Sequence, residues 1–448
     1  MTGTECRAFG EALLSDIRKS PTAFHAADTL MKLFEEAGFQ ALSETERWKL
    51  QPGRGYYVSR NQSAVIAFRL PEKAEGVPGF QIIASHSDSP ALKIKEHPEY
   101  PLGNAYVRLN VEKYGGMLMA PWFDRPLSAA GRLMVEKDGG VRPVLVNIDR
   151  DLLVIPNLAI HMNREVNEGY KYNVQKDLLP LYRMCGEGFP FEQTAAEAAG
   201  EALGEAVEVS QIRGMDLFLY NRMPGSIWGP EDCFISAPRL DDLACAFGSA
   251  HGLAKAVSGS SVQVCAVFDN EEVGSGTQQG ACGTFLYDTM LRISRALSMD
   301  EEDFRCAVAK SFMISADNAH ALHPNYADKA DPVNRPVLNG GIVVKYSANQ
   351  KYTTDGFSAA LMRELCRKAG VRTQDFTNRS DILGGSTLGN KSVAQVSLNS
   401  VDIGLPQLAM HSPYETAGTR DYADLIRVSE LYYNSRITFT PEGGFSVG

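Results

Sequence analysis

No Cys-x-x-Cys pair occurs in this sequence, although eight cysteines are scattered through it: Cys6, Cys185, Cys233, Cys245, Cys265, Cys282, Cys306 and Cys366. Several lie in apolar runs such as Val262–Phe268. In so long a chain they read as buried, reduced thiols rather than a disulfide framework. No apolar stretch approaches the ~20 residues of a membrane span, so no membrane association is expected. The opening Met1–Arg7 has neither a basic region nor an apolar core of the kind a secretory leader needs. A cytoplasmic location is therefore expected. Positive charge is in deficit, 44 Lys and Arg against 54 Asp and Glu, for a net charge of −10. That excludes a general nucleic-acid binder. It also repels acidic small molecules at long range, so an acidic substrate needs a local cationic pocket. No internal repeat or low-complexity tract stands out. The glycine-rich Leu383–Gly389 has no Gly-Lys-Ser/Thr continuation, which makes it a tight turn rather than a phosphate cradle.

With 448 residues the chain is too long for one compact core, and two domains are expected. Its 44% hydrophobic and 22% charged content is ordinary for a globular protein. Residues 8–38 carry helical periodicity through Phe9, Leu13, Leu14 and Ile17, then Ala27, Leu30, Leu33 and Phe34. Gly79–Ser85 is an apolar run suited to a buried strand, with His86 at its C-terminal end. After Pro90 the pattern changes. Residues 92–111 and 130–155 alternate and are broken by Gly115-Gly116 and Asp138-Gly139-Gly140, which reads as antiparallel β. Residues 191–207 fit a helix or a solvated connection. The α/β pattern then resumes: a helix over Leu243–Val257, and buried strands at Val262–Phe268, Ala307–Ser315 and Gly341–Val344. The expected fold class is α/β. A mixed-sheet α/β/α catalytic domain is built from residues 1–92 plus 234–448, with a mainly β dimerisation or lid domain inserted at 93–233.

The chemistry lies in five short segments: Ser85-His86-Ser87-Asp88, Arg239-Leu240-Asp241-Asp242, Asn270-Glu271-Glu272, Ser315-Ala316-Asp317-Asn318 and Met410-His411-Ser412. Each offers one or two metal-type ligands near the end of a predicted element. Singly, each has a plainer explanation. Asp241-Asp242 could be a helix N-cap, Glu271-Glu272 a solvated face, Asp317-Asn318 a turn. Jointly, His86, Asp241, Glu272, Asp317 and His411 make a plausible set for two zinc-like ions. Two divalent ions carry four positive charges against three carboxylates, and one bridging hydroxide brings the site to neutral. Asp88, two residues after His86, lies on the same side of an extended chain and could accept the imidazole N–H. Glu271 is the candidate general base. Beside Glu272 in extended chain it would point away from the ion and toward metal-bound water.

At these residues the sequence closely resembles the aspartyl aminopeptidase family of two-zinc metallopeptidases. The match covers nearly the whole chain, including Trp122-Phe123-Asp124-Arg125-Pro126-Leu127, Ala159-Ile160-His161 and His320-Ala321-Leu322-His323-Pro324-Asn325-Tyr326. The Trp-Phe-Asp-Arg and His-Pro-Asn-Tyr runs are particular to that family among related two-zinc peptidases. The resemblance implies a metalloaminopeptidase that removes an N-terminal Asp or Glu from peptides. It implies two divalent ions per chain, zinc by analogy, with manganese or cobalt compatible with carboxylate-rich ligands. It places His86 and Glu272 on one ion and Asp317 and His411 on the other, bridged by Asp241, with Glu271 as base and Asp88 orienting His86. It implies a substrate pocket lined by His320, Lys345 and Tyr352, with Lys345 opposite the substrate carboxylate. It further implies a homo-oligomer, a dodecamer built from dimers, in which His161 reaches a neighbouring subunit's site; a metal role for His161 is the lesser alternative. The chain departs from the family at Pro413-Tyr414, where Ile-Arg is commoner, and at residues 353–357. A related aminopeptidase, carboxypeptidase or deacylase of broader or neutral specificity is the alternative function.

Overall fold

The computed structural model describes residues 3–73 and 76–448. Met1 and Thr2, part of the opening segment read above as no leader, lie outside them. Pro21 separates two amphipathic helices, Gly3–Lys19 and Ala23–Glu36, within the stretch of helical periodicity.

The central element is a nine-stranded mixed sheet. Across it run Gln40–Leu42, Gly55–Arg60, Ala64–Arg69, Val262–Phe268, Phe80–His86, Phe312–Ala316, Asn399–Gly404, Ile342–Tyr346 and Thr373–Thr377. The four middle strands from Val262–Phe268 to Asn399–Gly404 are parallel. They are buried on both faces, so Val262–Phe268, Phe80–His86 and Phe312–Ala316 are mostly apolar rather than strictly alternating. Successive side chains still go to opposite faces. Val65, Ala67, Ile83, Cys265 and Val267 pack with the helices Leu240–Lys255 and Thr419–Asn434. Ile66, Phe68, Ile82, Ala84, Val264 and Ala266 pack on the other face with Phe285–Ala296 and Glu301–Ala309. The result is the expected α/β/α sandwich.

One expected strand is corrected. Ala307 belongs to the helix Glu301–Ala309, and the strand starts only at Phe312. Ala307 is a buried position on that helix beside Phe304, and a short apolar run does not by itself separate helix from strand. The helix predicted over Leu243–Val257 begins earlier, at Leu240, and ends at Lys255.

A six-stranded antiparallel sheet uses strands from Ala91–Leu102 to Ile212–Asn221. Its apolar side is covered by Phe191–Leu203, a helix whose Phe191, Ala195, Ala196 and Ala199 are buried. That settles residues 191–203 as packed helix rather than solvated connection. A third sheet, five-stranded, joins Ser226–Trp228, Phe234–Ala237, Glu415–Gly418, Pro406–Leu408 and Ala319–His320. All eight cysteines are free, and Cys6, Cys245, Cys265 and Cys366 are buried. No described helix is long and apolar enough to cross a membrane.

Candidate metal centre

Parallel register brings the C-terminal ends of the middle strands to one edge. Phe268 pairs with His86, and Ser315 pairs with Ala84. His86, the Asn270-Glu271-Glu272 turn and Asp317 therefore leave the sheet side by side, where open α/β sheets bind ligands. Two further pieces arrive from elsewhere. Asp241 and Asp242 open the helix Leu240–Lys255, and His411 follows the strand Pro406–Leu408 in the left-handed region (φ 66°). Arg239, also left-handed, stands at the N-cap, and neither Asp caps the helix. Both are buried, so the plain N-cap reading of Asp241-Asp242 fails.

The imidazoles are set by backbone carbonyls. His86 Nδ1 donates to Asp88 O at 3.0 Å, and His411 Nδ1 donates to Gly116 O. A carbonyl only accepts, so each Nδ1 carries a proton and each Nε2 is the nitrogen left to bind a cation. Both Nε2 atoms face Asp241: His86 Nε2 lies 3.7 Å from Oδ1, and His411 Nε2 lies 3.6 Å from Oδ2. His411 Nε2 is also 3.3 Å from Glu272 Oε2. Asp241 Oδ1 and Asp242 Oδ1 are buried with no hydrogen-bond partner. Imidazole nitrogens facing unpartnered, buried carboxylate oxygens are matched by a cation, a proton or a metal ion, between them. The donor set thus fits divalent metal, two imidazole nitrogens and several carboxylates being the ligand types zinc takes.

Three overlapping groups have ligand atoms within 4.8 Å of one another: His86 with Asp241, Asp242 and Asp317; His86 with Glu271 and Glu272; and Asp241 with Glu272 and His411. Glu272 closes on His411 and also groups with His86, and Asp317 groups with His86. The chain at 271–273 is a 3₁₀ turn after left-handed Asn270 rather than extended.

Crowding shows in the acidities. Burial, reinforced by Asp317, pushes Asp241 up to about 6. Burial, reinforced by Asp317 and Asp88, pushes Glu271 up to about 8. Glu272 and Asp242 are driven well above the carboxylate range by burial.

Asp88 meets His86 twice, through its backbone carbonyl at 3.0 Å and through its carboxylate at 3.3 Å from Nδ1. The carboxylate also accepts from Tyr114 Oη (2.6 Å), Glu271 N (3.0 Å) and Glu272 N (3.2 Å). It ties the glutamate turn to the His86 strand. Glu415 plays a similar part and was not foreseen. Buried at 1% exposure, it accepts from Asp241 N (3.0 Å) and His411 N (2.7 Å). Its one sequence signal is its place four residues after His411. At the departing positions, Tyr414 Oη donates to Pro224 O at 2.9 Å, Pro413 O accepts from Asn221 Nδ2 at 3.0 Å, and Asp355 caps the helix Gly356–Ala369.

A cavity of about 530 Å³ opens on these ligands and is lined further by His320, Lys345, Tyr352, Phe376, Thr387 and Lys391. Lys345, 2% exposed, donates to Asp317 O (2.7 Å) and Asn318 O (3.3 Å). Tyr352 stacks near it, 5.2 Å from ring centre to Nζ. His161 is not brought to this cavity. It is exposed in the turn Ile160–Met162, flanked by exposed Leu158, Ile160 and Met162.

Comparison with known proteins agrees with the site chemistry. Residues 17–433 match the family model described as aminopeptidase I zinc metalloprotease (M18). The chain is 44% identical to a probable M18 family aminopeptidase 2 of Clostridium novyi (strain NT), over 95% of this chain and 98% of that one. It is similar to a chain of the cryo-EM structure of the Ape4 and Nbr1 complex, with TM-score 0.93 and 35% identity over 97% of this chain and 87% of that one. It is also similar to the S. cerevesiae mApe1 dodecamer, with TM-score 0.82 and 28% identity over 95% and 96%. A buried cluster of imidazoles and carboxylates at the strand ends, in a chain matched over almost its full length, places this protein in the M18 family of zinc aminopeptidases, which are hydrolases.

Proposed function

We propose that this aminopeptidase removes an N-terminal aspartate or glutamate from peptides, using two divalent ions and Glu271 as proton acceptor. The observation that carries the two-ion reading is the pair of bare Nε2 atoms facing opposite oxygens of Asp241. Asp241 would be the shared ligand, with His86 and Asp317 to hold one ion and Glu272 and His411 the other. When bound, the ions, zinc by family and replaceable by manganese or cobalt, supply Lewis-acid polarisation and acidify water. Glu271 takes a proton from the attacking water as its oxygen adds to the first peptide carbonyl. It returns that proton to the amine as the C–N bond breaks. Asp88 holds the Glu271 backbone N–H at 3.0 Å and so fixes where the base stands.

The acidic preference is supported by the cavity wall of His320, Lys345 and Tyr352, in a chain whose overall charge is negative. Residues 93–233 are read as an inserted dimerisation unit. The relative described as a dodecamer supports a homo-oligomer for this chain, and the exposed apolar surroundings of His161 suit a contact between copies. His161 of a neighbouring copy then meets substrate. An assay over Asp-, Glu-, Ala- and Leu-anilides on metal-defined protein tests the proposal. Preference for Asp or Glu with two ions per chain is expected. Equal cleavage of Leu and Asp would instead favour a broad aminopeptidase.

A further inference from the structure

A second cavity, of about 310 Å³, lies between the nine-stranded and six-stranded sheets. The six-stranded sheet contributes Lys93, Arg132, Asp216 and Phe218, and the catalytic side contributes Phe24, Asn61 and Arg239. No residue lines both this cavity and the one that opens on the metal ligands. Three chain segments nevertheless serve both. Asp88, Asn270 and Ser412 line this cavity, while His86, Glu271 and His411, one or two positions away, line the other.

The volume and the mixed walls suit a small molecule. Phe24, Trp122, Phe218 and Pro413 supply apolar surface. The polar groups are unbalanced. All four lining carboxylates already accept from protein donors. Asp216 accepts from Lys93 (3.3 Å) and Arg132 (2.8 Å), and Asp269 accepts from Asn270 N (2.7 Å). Asp88 and Glu415 hold the backbone N–H groups described above. The donors are not all used. Arg239 donates from Nη2 to Ile17 O at 3.1 Å and has no ion-pair partner among the described residues. Its Nε, together with Arg132 Nε and Trp122 Nε1, is buried without an acceptor. These groups only donate, and a buried donor left unmatched is costly. The walls thus hold surplus donors and no carboxylate left over for a cation.

We propose that this cavity is a second ligand site, for a small carboxylate with an apolar body and no amine, and that its occupancy is felt at the metal centre. Arg239 and Trp122 Nε1 recognise the carboxylate, and the body packs among Phe24 and Phe218. The route to the metal ligands is short. Tyr114 lines the cavity, accepts from Asn270 Nδ2 at 2.9 Å and donates to Asp88 at 2.6 Å. Asp88 in turn holds the backbone of Glu271 and Glu272. A ligand that shifts Tyr114 therefore shifts the glutamate turn, which is a coupling between two distinct sites.

The probe is hydrocinnamate, titrated calorimetrically into the metal-loaded enzyme beside L-phenylalanine and hydrocinnamamide. Saturable binding with Kd of about 1 mM or tighter is expected for hydrocinnamate. The amide lacks the charge, and the ammonium of L-phenylalanine meets no uncommitted carboxylate, so each should bind about 10- to 100-fold more weakly. Arg239→Gln and Trp122→Phe should each weaken hydrocinnamate binding about 10-fold or more. Ala91→Leu fills cavity space from the six-stranded sheet and should do the same, which keeps the test intact where Trp122→Phe fails to fold. Saturating hydrocinnamate should change kcat about fivefold or more, on whichever anilide is cleaved fastest, without raising KM. Absence of saturable binding below about 10 mM would overturn the site. So would competition with substrate, or tighter binding of L-phenylalanine, either of which places the probe at the metal centre. Binding that the three variants weaken but that leaves kcat unchanged would overturn the coupling.

Discussion

Replacing Glu271 by Gln isolates the proton-transfer part of the proposed mechanism. The side chains are isosteric, and the backbone bond from Glu271 N to Asp88 Oδ1 (3.0 Å) survives the change. No protein donor reaches the Glu271 carboxylate among the described residues, so the new amide breaks no hydrogen bond. What is lost is a proton acceptor. In the metal-free site burial pushes this carboxyl up to about 8, so it is largely neutral near pH 7 and the isosteric amide should leave the apo melting temperature close to wild type. The catalytic loss should match general-base catalysis, about 10²- to 10⁴-fold in kcat, or roughly 2.7–5.4 kcal/mol of barrier. The assay is steady-state cleavage of an Asp-anilide with metal content measured on the same sample. Glu271 also falls within reach of His86 and Glu272, which gives the experiment its second edge. Near-normal turnover would refute the base. Loss of activity in proportion to loss of metal would make Glu271 a ligand instead.

Glu415→Gln should place an amide N–H against one of the two backbone N–H groups that Glu415 now accepts, destabilising by about 1–3 kcal/mol and weakening metal binding about 10- to 100-fold; denaturant melts and metal titration read both. His25, bonded to Thr22 Oγ1 at 2.9 Å, is pushed down to about 4 by burial. The folded state therefore resists its protonation, and its contribution is full above pH 6.5 and lost as pH falls toward 4. The stability difference between wild type and His25→Gln should accordingly shift by about 2 kcal/mol against wild type between pH 7 and pH 5, and an unchanged difference would contradict the burial. Gly252 packs its helix against Thr419–Asn434 so closely that a Cβ would lie 2.5 Å from Ser429 Cβ. Gly252→Ala should cost about 1–3 kcal/mol by overpacking despite its better helix propensity, visible as a lower melting temperature.

Much of the sheet was legible because its strands are short, apolar and followed by polar turns. Val262–Phe268 matches the prediction residue for residue, and Phe80–His86 is displaced from it by one. The error at Ala307 shows the limit: a buried helix turn and a buried strand look alike over a few residues. The ligand types were legible as well, since only certain side chains suit a divalent ion. Which carboxylate faces which imidazole was not. Glu272 meets His411, 139 positions away, because of a 3₁₀ turn and a left-handed Asn270. Glu415 looked like an ordinary glutamate, and it owes its part to two backbone N–H groups from distant segments.

The sequence by itself determined the chemistry available here: the periodicities that make an α/β sheet, and the His, Asp and Glu residues at the ends of its elements. Side-chain type and local period are properties of neighbouring residues, so a linear reading reaches them. Only the tertiary structure decided that both imidazoles turn their Nε2 atoms to opposite oxygens of Asp241, and that Lys345 donates to the Asp317 and Asn318 carbonyls. Those facts depend on through-space distances among segments far apart in the chain, and on which backbone carbonyls are close enough to take a proton donor.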